Sequence, residues 1–279
     1  MSHSVFLSIL FQKIFKEAFS SFFKNIFLIY QMAKREISAR YKESYIGLAW
    51  SAAHPLLMML VYTFVFTVVF KARWGDNVEL NQEVSVIIFT GLIVFNFFSD
   101  VIVNSPSIIT NNVNYVKKIS FPLPSLSWIY LFTSLFQLSV SLLVLIAFRL
   151  FFYQSFSLTT LLFPLFLIPF VFLCIGFSWT LSAFGVYFRD LSQIILVLSQ
   201  VLFFATPIIY PLEMIPETYR PFLYLNPMTS FVEMSREMLI YNSLPNLLAY
   251  ASLSLIGLIV FLTGYSIFRK LNRGFADVI

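Results

Sequence analysis

The sequence predicts an all-α integral membrane protein with six transmembrane helices, an N-terminal amphipathic interface helix and short re-entrant helices before the last span. Three observations carry that reading. Of 279 residues, 59% are apolar and 19% aromatic against 11% charged, and the mean hydropathy is +0.85, a balance foreign to a soluble domain of this size. The stretches Ser44 to Phe70 and Leu191 to Leu212 contain no Asp, Glu, Lys or Arg. Each is long enough to cross a hydrocarbon core of about 30 Å at about 1.5 Å per residue. Finally, Pro216, Pro221 and Pro227 break a segment that Ile215, Tyr219, Phe222, Leu223 and Tyr224 keep apolar. Such a segment dips into the membrane edge and returns, and broken backbone at that depth belongs beside protein or an aqueous cavity.

In chain order, Met1 to Leu28 carries Lys13, Lys16 and Lys24 among Phe and Ile with no small-residue cleavage signature, so a cleaved signal peptide is not expected. The interface helix is placed at 22–43. Phe22, Ile26, Ile29, Tyr30, Ala33 and Ile37 share one side, and Lys24, Gln31, Arg35, Ser38 and Lys42 the other. Spans follow at 46–70, 84–103, 125–148, 158–186, 191–212 and 247–268, with an outer gate segment at 213–240, all within one transmembrane domain covering 1–279. Pro164 and Pro169 fall inside the fourth span, which membrane helices tolerate. His54, ahead of Pro55, reads as a hydrogen-bonded interfacial residue more than a ligand. Asp100, near the end of the second span, is either functional or a hydrated boundary carboxylate.

Six spans put both termini on one side. Placing them in the cytoplasm leaves Lys71, Arg73, Arg149, Arg220 and Arg236 outside and all the other Lys and Arg of the 18 inside. The net charge of +5 is therefore a matter of topology, since no continuous basic stripe suggests nucleic acid. The two halves do not repeat, so a two-fold pathway requires two copies of the chain.

Most chemical motifs are absent. There is no G-x-x-x-x-G-K-[ST] phosphate loop, and His3, His54 and the lone Cys174 offer neither H-E-x-x-H, C-x-x-C nor any metal-spaced cluster. Gly176-Phe177-Ser178-Trp179-Thr180 approaches a nucleophile elbow but lacks its second glycine and strand, so Ser178 is read as helix packing. A membrane enzyme acting on lipid-linked sugars would need carboxylate or His clusters that Asp100 and His54 alone do not supply.

Four segments in register resemble a known family. Arg35, Arg40-Tyr41, Ser44, Gly47, Trp50 and Pro55 are similar to the motif that opens the membrane subunits of ABC-type polysaccharide exporters, the Wzm/TagG/KpsM group of the ABC-2 permeases. Asn112 to Pro122 resembles their first cytoplasmic coupling loop and Tyr187 to Asp190 their second. Ala205 to Pro211, with Leu225-Asn226-Pro227, resembles their outer gate. The resemblance runs from Arg35 to Glu237. It implies a homodimeric permease in the bacterial cytoplasmic membrane, working with two copies of a separate nucleotide-binding ATPase. ATP and magnesium would be bound by that partner, with no cofactor in this chain. Asn112, Tyr115, Lys117, Lys118, Arg189 and Asp190 would meet the ATPase, and Pro207, Pro211, Pro216, Tyr219 and Pro227 would shape the outer gate.

The implied cargo is a lipid-linked polysaccharide such as O-antigen, on a polyprenyl pyrophosphate carrier. Arg35, Arg40 and Lys42 would then receive the pyrophosphate, or serve only as positive-inside anchors. Tyr62, Phe66, Phe203, Phe204 and Tyr210 would offer flat faces to sugar rings, or simply pack against lipid. An ABC-2 permease for a drug or a lipid is the alternative function.

Overall fold

The computed structural model of the chain describes residues 15–42, 47–70, 84–117, 121–154 and 156–279. Lys118 and the Lys71 to Glu83 loop therefore lie outside the described residues. Helix α1 covers 15–24, and a turn at Asn25 leads into α2, Ile26–Tyr41. After a turn entered through Gly47, whose φ of 59° lies in the left-handed region, α3 runs Trp50–Tyr62 and continues as a wide π turn, Thr63–Val69. Helix α4 spans Val84–Asn104, α5 is the single turn Val113–Val116, and α6 runs Pro124–Phe148. Then come α7 (Phe163–Tyr187), α8 (Leu191–Phe204), α9 (Arg220–Tyr224), α10 (Pro227–Leu239), α11 (Leu247–Leu271) and α12 (Phe275–Val278).

Among the described residues, five helical stretches are long and apolar enough to cross a membrane: Gly47–Val69, Val84–Ser107, Pro124–Tyr153, Leu158–Tyr187 and Leu247–Val278. These match five of the six expected spans. The fifth expected span, 191–212, differs, because its helix stops at Phe204 after 14 residues, about 21 Å of rise. Pro207 is the physical reason. It has no amide to continue the ladder and disfavours helical backbone at Thr206, whose hydroxyl turns back to the Leu202 carbonyl at 2.7 Å.

Helix α4 is the axis of the bundle. Every residue from Val84 to Phe95 is buried, and α3, α6, α7, α8 and α10 all pack on it. The chain from α8 onward follows α4 in the opposite direction. The Ser199 and Ser99 hydroxyls meet at 2.7 Å, Phe203 meets Phe95 at 5.4 Å between ring centroids, and Ile208 reaches the neighbourhood of Ile87 through Arg236.

In an apolar surround each backbone carbonyl freed by a helix break needs a donor from elsewhere. Pro55 cannot donate to the Ser51 carbonyl one turn before it, and Gln137 on α6 does so at 3.1 Å. Pro169 leaves the Leu165 carbonyl in the same condition, and the Tyr250 hydroxyl on α11 supplies the bond at 3.3 Å. Past the end of α8, the wholly buried Arg236 donates to the Ile208 carbonyl at 2.8 Å, to the Ile87 carbonyl at 3.3 Å and to Glu233 at 2.6 Å. Arg149, also buried, donates to the Leu239 and Ile240 carbonyls where α10 ends, and the Ser157 hydroxyl donates to the Met238 carbonyl.

Helices α7 and α11 form the most extensive pair. Between helices in lipid, close approach of small residues substitutes for the hydrophobic effect. At Gly264 the approach is complete, since a β-carbon there would stand 2.2 Å from the Gly176 carbonyl oxygen.

Two predictions follow from this packing. Gly264→Val forces the α7 and α11 backbones apart, and the purified protein should lose about 1–3 kcal/mol or fail to fold, read as a lowered midpoint in thermal unfolding in detergent. Arg236→Leu strands Glu233 and two carbonyls, and should cost about 3–5 kcal/mol in the same assay; Arg236→Lys, retaining the charge, should recover part of it.

Candidate polar cleft and its flanking segments

Two groups of polar contacts between distant segments lie one at each end of the bundle. At one end Arg35 donates to the Tyr115 hydroxyl at 3.2 Å, Arg40 lies 4.0 Å from Asp100, and the Tyr187 hydroxyl donates to the Leu271 carbonyl at 3.0 Å. Arg269 pairs with Glu17 at the same end. At the other end lie Arg149, Ser157, Thr206, Asn226 and Arg236, with Asn226 donating to the Thr206 hydroxyl at 2.9 Å and capping α10 through Met228.

Between the two ends, α3, α4 and α6 enclose a cleft of about 640 Å³. Helical periodicity builds it. On α3, Trp50, His54, Met58 and Tyr62 recur every fourth residue; on α4, Asn96 and Asp100 are one turn apart; on α6, Ser134, Gln137 and Ser141 share a stripe. Asp100 is anchored by Ser134, which donates to one carboxylate oxygen at 2.5 Å, and by Asn104, which donates to the other at 3.1 Å. Asn96 is the one exposed residue between Val84 and Phe98 on α4. Among the described residues its amide makes no hydrogen bond, nor do the side chains of His54, Tyr62 and Ser141. These four side chains stand beside the internally bonded Asp100, Ser134 and Gln137, and polar groups left without a protein partner in an apolar surround take water or a polar ligand.

The expected head-group residues come to one end but to separate partners. Arg35 is tied to Tyr115, whose hydroxyl holds its pKa above the ordinary value, Arg40 stands at the mouth of the cleft beside Asp100, and exposed Lys42 closes α2. The expected pathway aromatics fall into two groups. Tyr62 lines the cleft and is followed at 6.3 Å by Phe66; Phe203 and Phe204 meet at 5.2 Å on α8, and the Tyr210 hydroxyl donates to the Phe204 carbonyl at 2.7 Å. Helix α4 touches both α3 and α8, so each group flanks the same axis.

Of the expected coupling residues, Asn112 donates to the Ile108 carbonyl at 2.8 Å, and Tyr115 stacks on Phe121 at 4.4 Å. Lys117 is exposed. Arg189 and Asp190 form an exposed turn between α7 and α8, where the Asp190 carbonyl accepts from Gln193 and Ile194. In the expected gate, Pro207 and Pro211 are buried, Pro216 and Tyr219 exposed, and Pro227 begins α10. Glu233 on α10 has its carboxyl pushed up by burial, with Arg236 opposing.

Sequence reasoning missed Asn96, Ser134, Gln137 and Ser141. Their signal was present as polar residues at helical spacing inside apolar spans. Arg236 and Arg149, assigned from the sequence only to the outer side, prove to be buried and to donate to backbone carbonyls, a role the sequence did not show.

The chain is 29% identical over 254 residues to the O-antigen export system permease protein RfbA of Myxococcus xanthus, covering 90% of this chain and 95% of that protein. It is 28% identical to the RfbA of Klebsiella pneumoniae over the same shares, and 25% identical to the polysialic acid transport protein KpsM of Escherichia coli, over 84% of this chain and 90% of that one. Residues 27–240, which hold the cleft, both flanking aromatic groups and the buried Arg236, match the ABC-2 type transporter family, to which the chain belongs.

Proposed function

We propose that this chain is the permease subunit of an ATP-driven transporter that exports a lipid-linked polysaccharide across the bacterial cytoplasmic membrane. The observation that carries the reading is the α3–α4–α6 cleft, in which Asn96, His54, Tyr62 and Ser141 make no hydrogen bond among the described residues, in a chain whose family is ABC-2 and whose relatives are named as exporters of O-antigen and polysialic acid. Sugar hydroxyls pair well with amide, hydroxyl and imidazole groups, and the rings of Trp50 and Tyr62 offer faces for stacking. A hydrophobic drug would leave Asn96 and Ser141 unpaired at a cost.

In this reading the chain crosses the membrane six times. The fifth crossing is α8 completed by the bent segment through Tyr210, supported by its antiparallel course along α4 and by the donors that Arg236 provides there. The end bearing Lys34, Arg35, Arg189, Arg269 and Lys270 faces the cytoplasm, in keeping with the positive-inside bias. Two copies of the chain flank the route, and two copies of a separate ATPase dock on α5 and the Arg189–Asp190 turn. The chain performs no hydrolysis itself.

The mechanical route is short. Pressure on α5 reaches α2 through the Arg35–Tyr115 bond, and α2 reaches α4 and the cleft mouth through Arg40 and Asp100. Arg40 is positioned to receive a pyrophosphate because a guanidinium beside one carboxylate keeps further donors for a second anion.

The test pairs coupled ATPase activity of the reconstituted complex with surface glycan in cells lacking this chain. Stranded cytoplasmic glycan is expected; normal surface glycan with ATPase activity stimulated by small hydrophobic compounds would transfer the protein to drug or lipid export. Within the exporter, Asn96→Leu should lower export about tenfold with assembly unchanged, the scale of one lost buried polar contact. Export at the unsubstituted rate would remove the cleft from the route.

A further inference from the structure

The stripe by which α11 meets α7 does not stop where α11 stops. Phe261, Phe268 and Phe275 recur at every seventh residue, and all three are buried. Gly257 and Gly264 keep the same interval on the neighbouring row, where each backs onto the α7 backbone. The repeat passes the exposed Arg269, Lys270 and Arg273 and runs through a 3₁₀ turn, Asn272–Gly274, into α12. Cations mark the polar boundary of a span, so beyond them the burial of Phe275 rests on protein alone. Its ring stands 5.6 Å from that of Phe268 and 6.1 Å from that of Tyr187.

Tyr187 is the last residue of α7 and leads directly into the Arg189–Asp190 turn. Its hydroxyl donates to the Leu271 carbonyl, one of the terminal carbonyls of α11. Gly274 makes room for that hydroxyl, since a β-carbon there would stand 2.7 Å from it. Gly185, two residues before Tyr187, lies about 200° around the helix from it at 3.6 residues per turn. A β-carbon on Gly185 would overlap the carbonyl of Pro106, in the turn Ser105–Ser107 that leads toward α5. The last turn of α7 is thus gripped on opposite sides, by the approach to α5 and by the extension of α11. We propose that Tyr187 and this extension form the outer jaw of a clamp that holds α5 and the Arg189–Asp190 turn in one register, so that a stroke on either reaches both together. Tyr187 is a positioning residue in this scheme, setting where the turn stands against Pro106. The clamp rests on the exporter reading above, which supplies the ATPase, and adds the residues that join its two footings.

Hydrogen–deuterium exchange of the full chain in nanodiscs reads the clamp without ATPase or cargo. Tyr187→Phe, which keeps the ring on Phe275, and Gly274→Ala, which displaces the hydroxyl, should each speed exchange about fivefold, the scale of one lost hydrogen bond. The rise is expected in peptides covering 184–191 and equally in those covering 105–117, which neither substitution alters. For Gly274→Ala the sign is diagnostic, because alanine favours helix over glycine and exchange would slow if propensity alone were at work. In the double variant the two effects should not add, since both act through one bond. In the complex reconstituted with its ATPase, Gly274→Ala should retain ATP hydrolysis while the glycan exported per ATP falls severalfold. Unchanged or slower exchange at 105–117, additive effects in the double variant, or unchanged export per ATP would each overturn the clamp. In any of these cases, loss of surface glycan on deleting the chain would leave the exporter reading standing; normal surface glycan would remove that reading and the clamp's role together.

Discussion

The structure depends on one constraint: at membrane depth a carbonyl that loses its helical partner must receive a donor from another part of the chain. Pro55, Pro169 and the end of α8 at Pro207 each create that demand. Gln137, Tyr250 and Arg236 meet it, each from a different helix. The breaks are thereby converted into tethers, α3 to α6, α7 to α11, and the segment after α8 to α10. Local sequence chemistry, the missing amide of a proline, in this way dictates long-range order.

The same rule gives the cleft its meaning. Most polar side chains in the spans turn back to their own helix, as Thr90, Thr133 and Ser254 do one turn away. Asn96 and His54 do not, and they face a shared space large enough for a polar guest. Asp100, held by Ser134 and Asn104 beside Arg40, marks the end of that space nearest the ATPase-facing segments proposed above.

Much of the helical plan was legible from composition and charge spacing. The expected 125–148 and 247–268 spans correspond to Pro124–Phe148 and Leu247–Leu271. The helix expected over 191–212 stops at Phe204, and hydropathy does not register a proline stop: Ile208, Ile209 and Tyr210 are as apolar as a helix would be. The cleft was less legible, because Asn96, Gln137 and Ser141 are isolated letters within apolar runs and acquire a common purpose only when α4 and α6 are set side by side. Arg236 was illegible for a related reason. Its partners at Ile87 and Ile208 lie 149 and 28 residues away, and they are carbonyls, which every residue has. Arg35 and Tyr115 were each singled out from sequence, but for different roles; their bond across 80 residues joins two features that had been read separately.

The glycine contact between α7 and α11 sets where the molecule can yield. With Gly264 seated on the Gly176 carbonyl, two backbones touch without the cushion of side chains that lets helices slip past one another by rotamer exchange. That pair is the stiff half of the bundle. Compliance is left to α3 and α8, whose flanks at Leu60, Phe64, Val197 and Val201 are uncovered within the chain and whose helical ladders already change pitch or stop short. A stroke delivered from one end of the protein would be absorbed by the elements that border the cleft and the aromatic groups, while the α7–α11 frame keeps its shape.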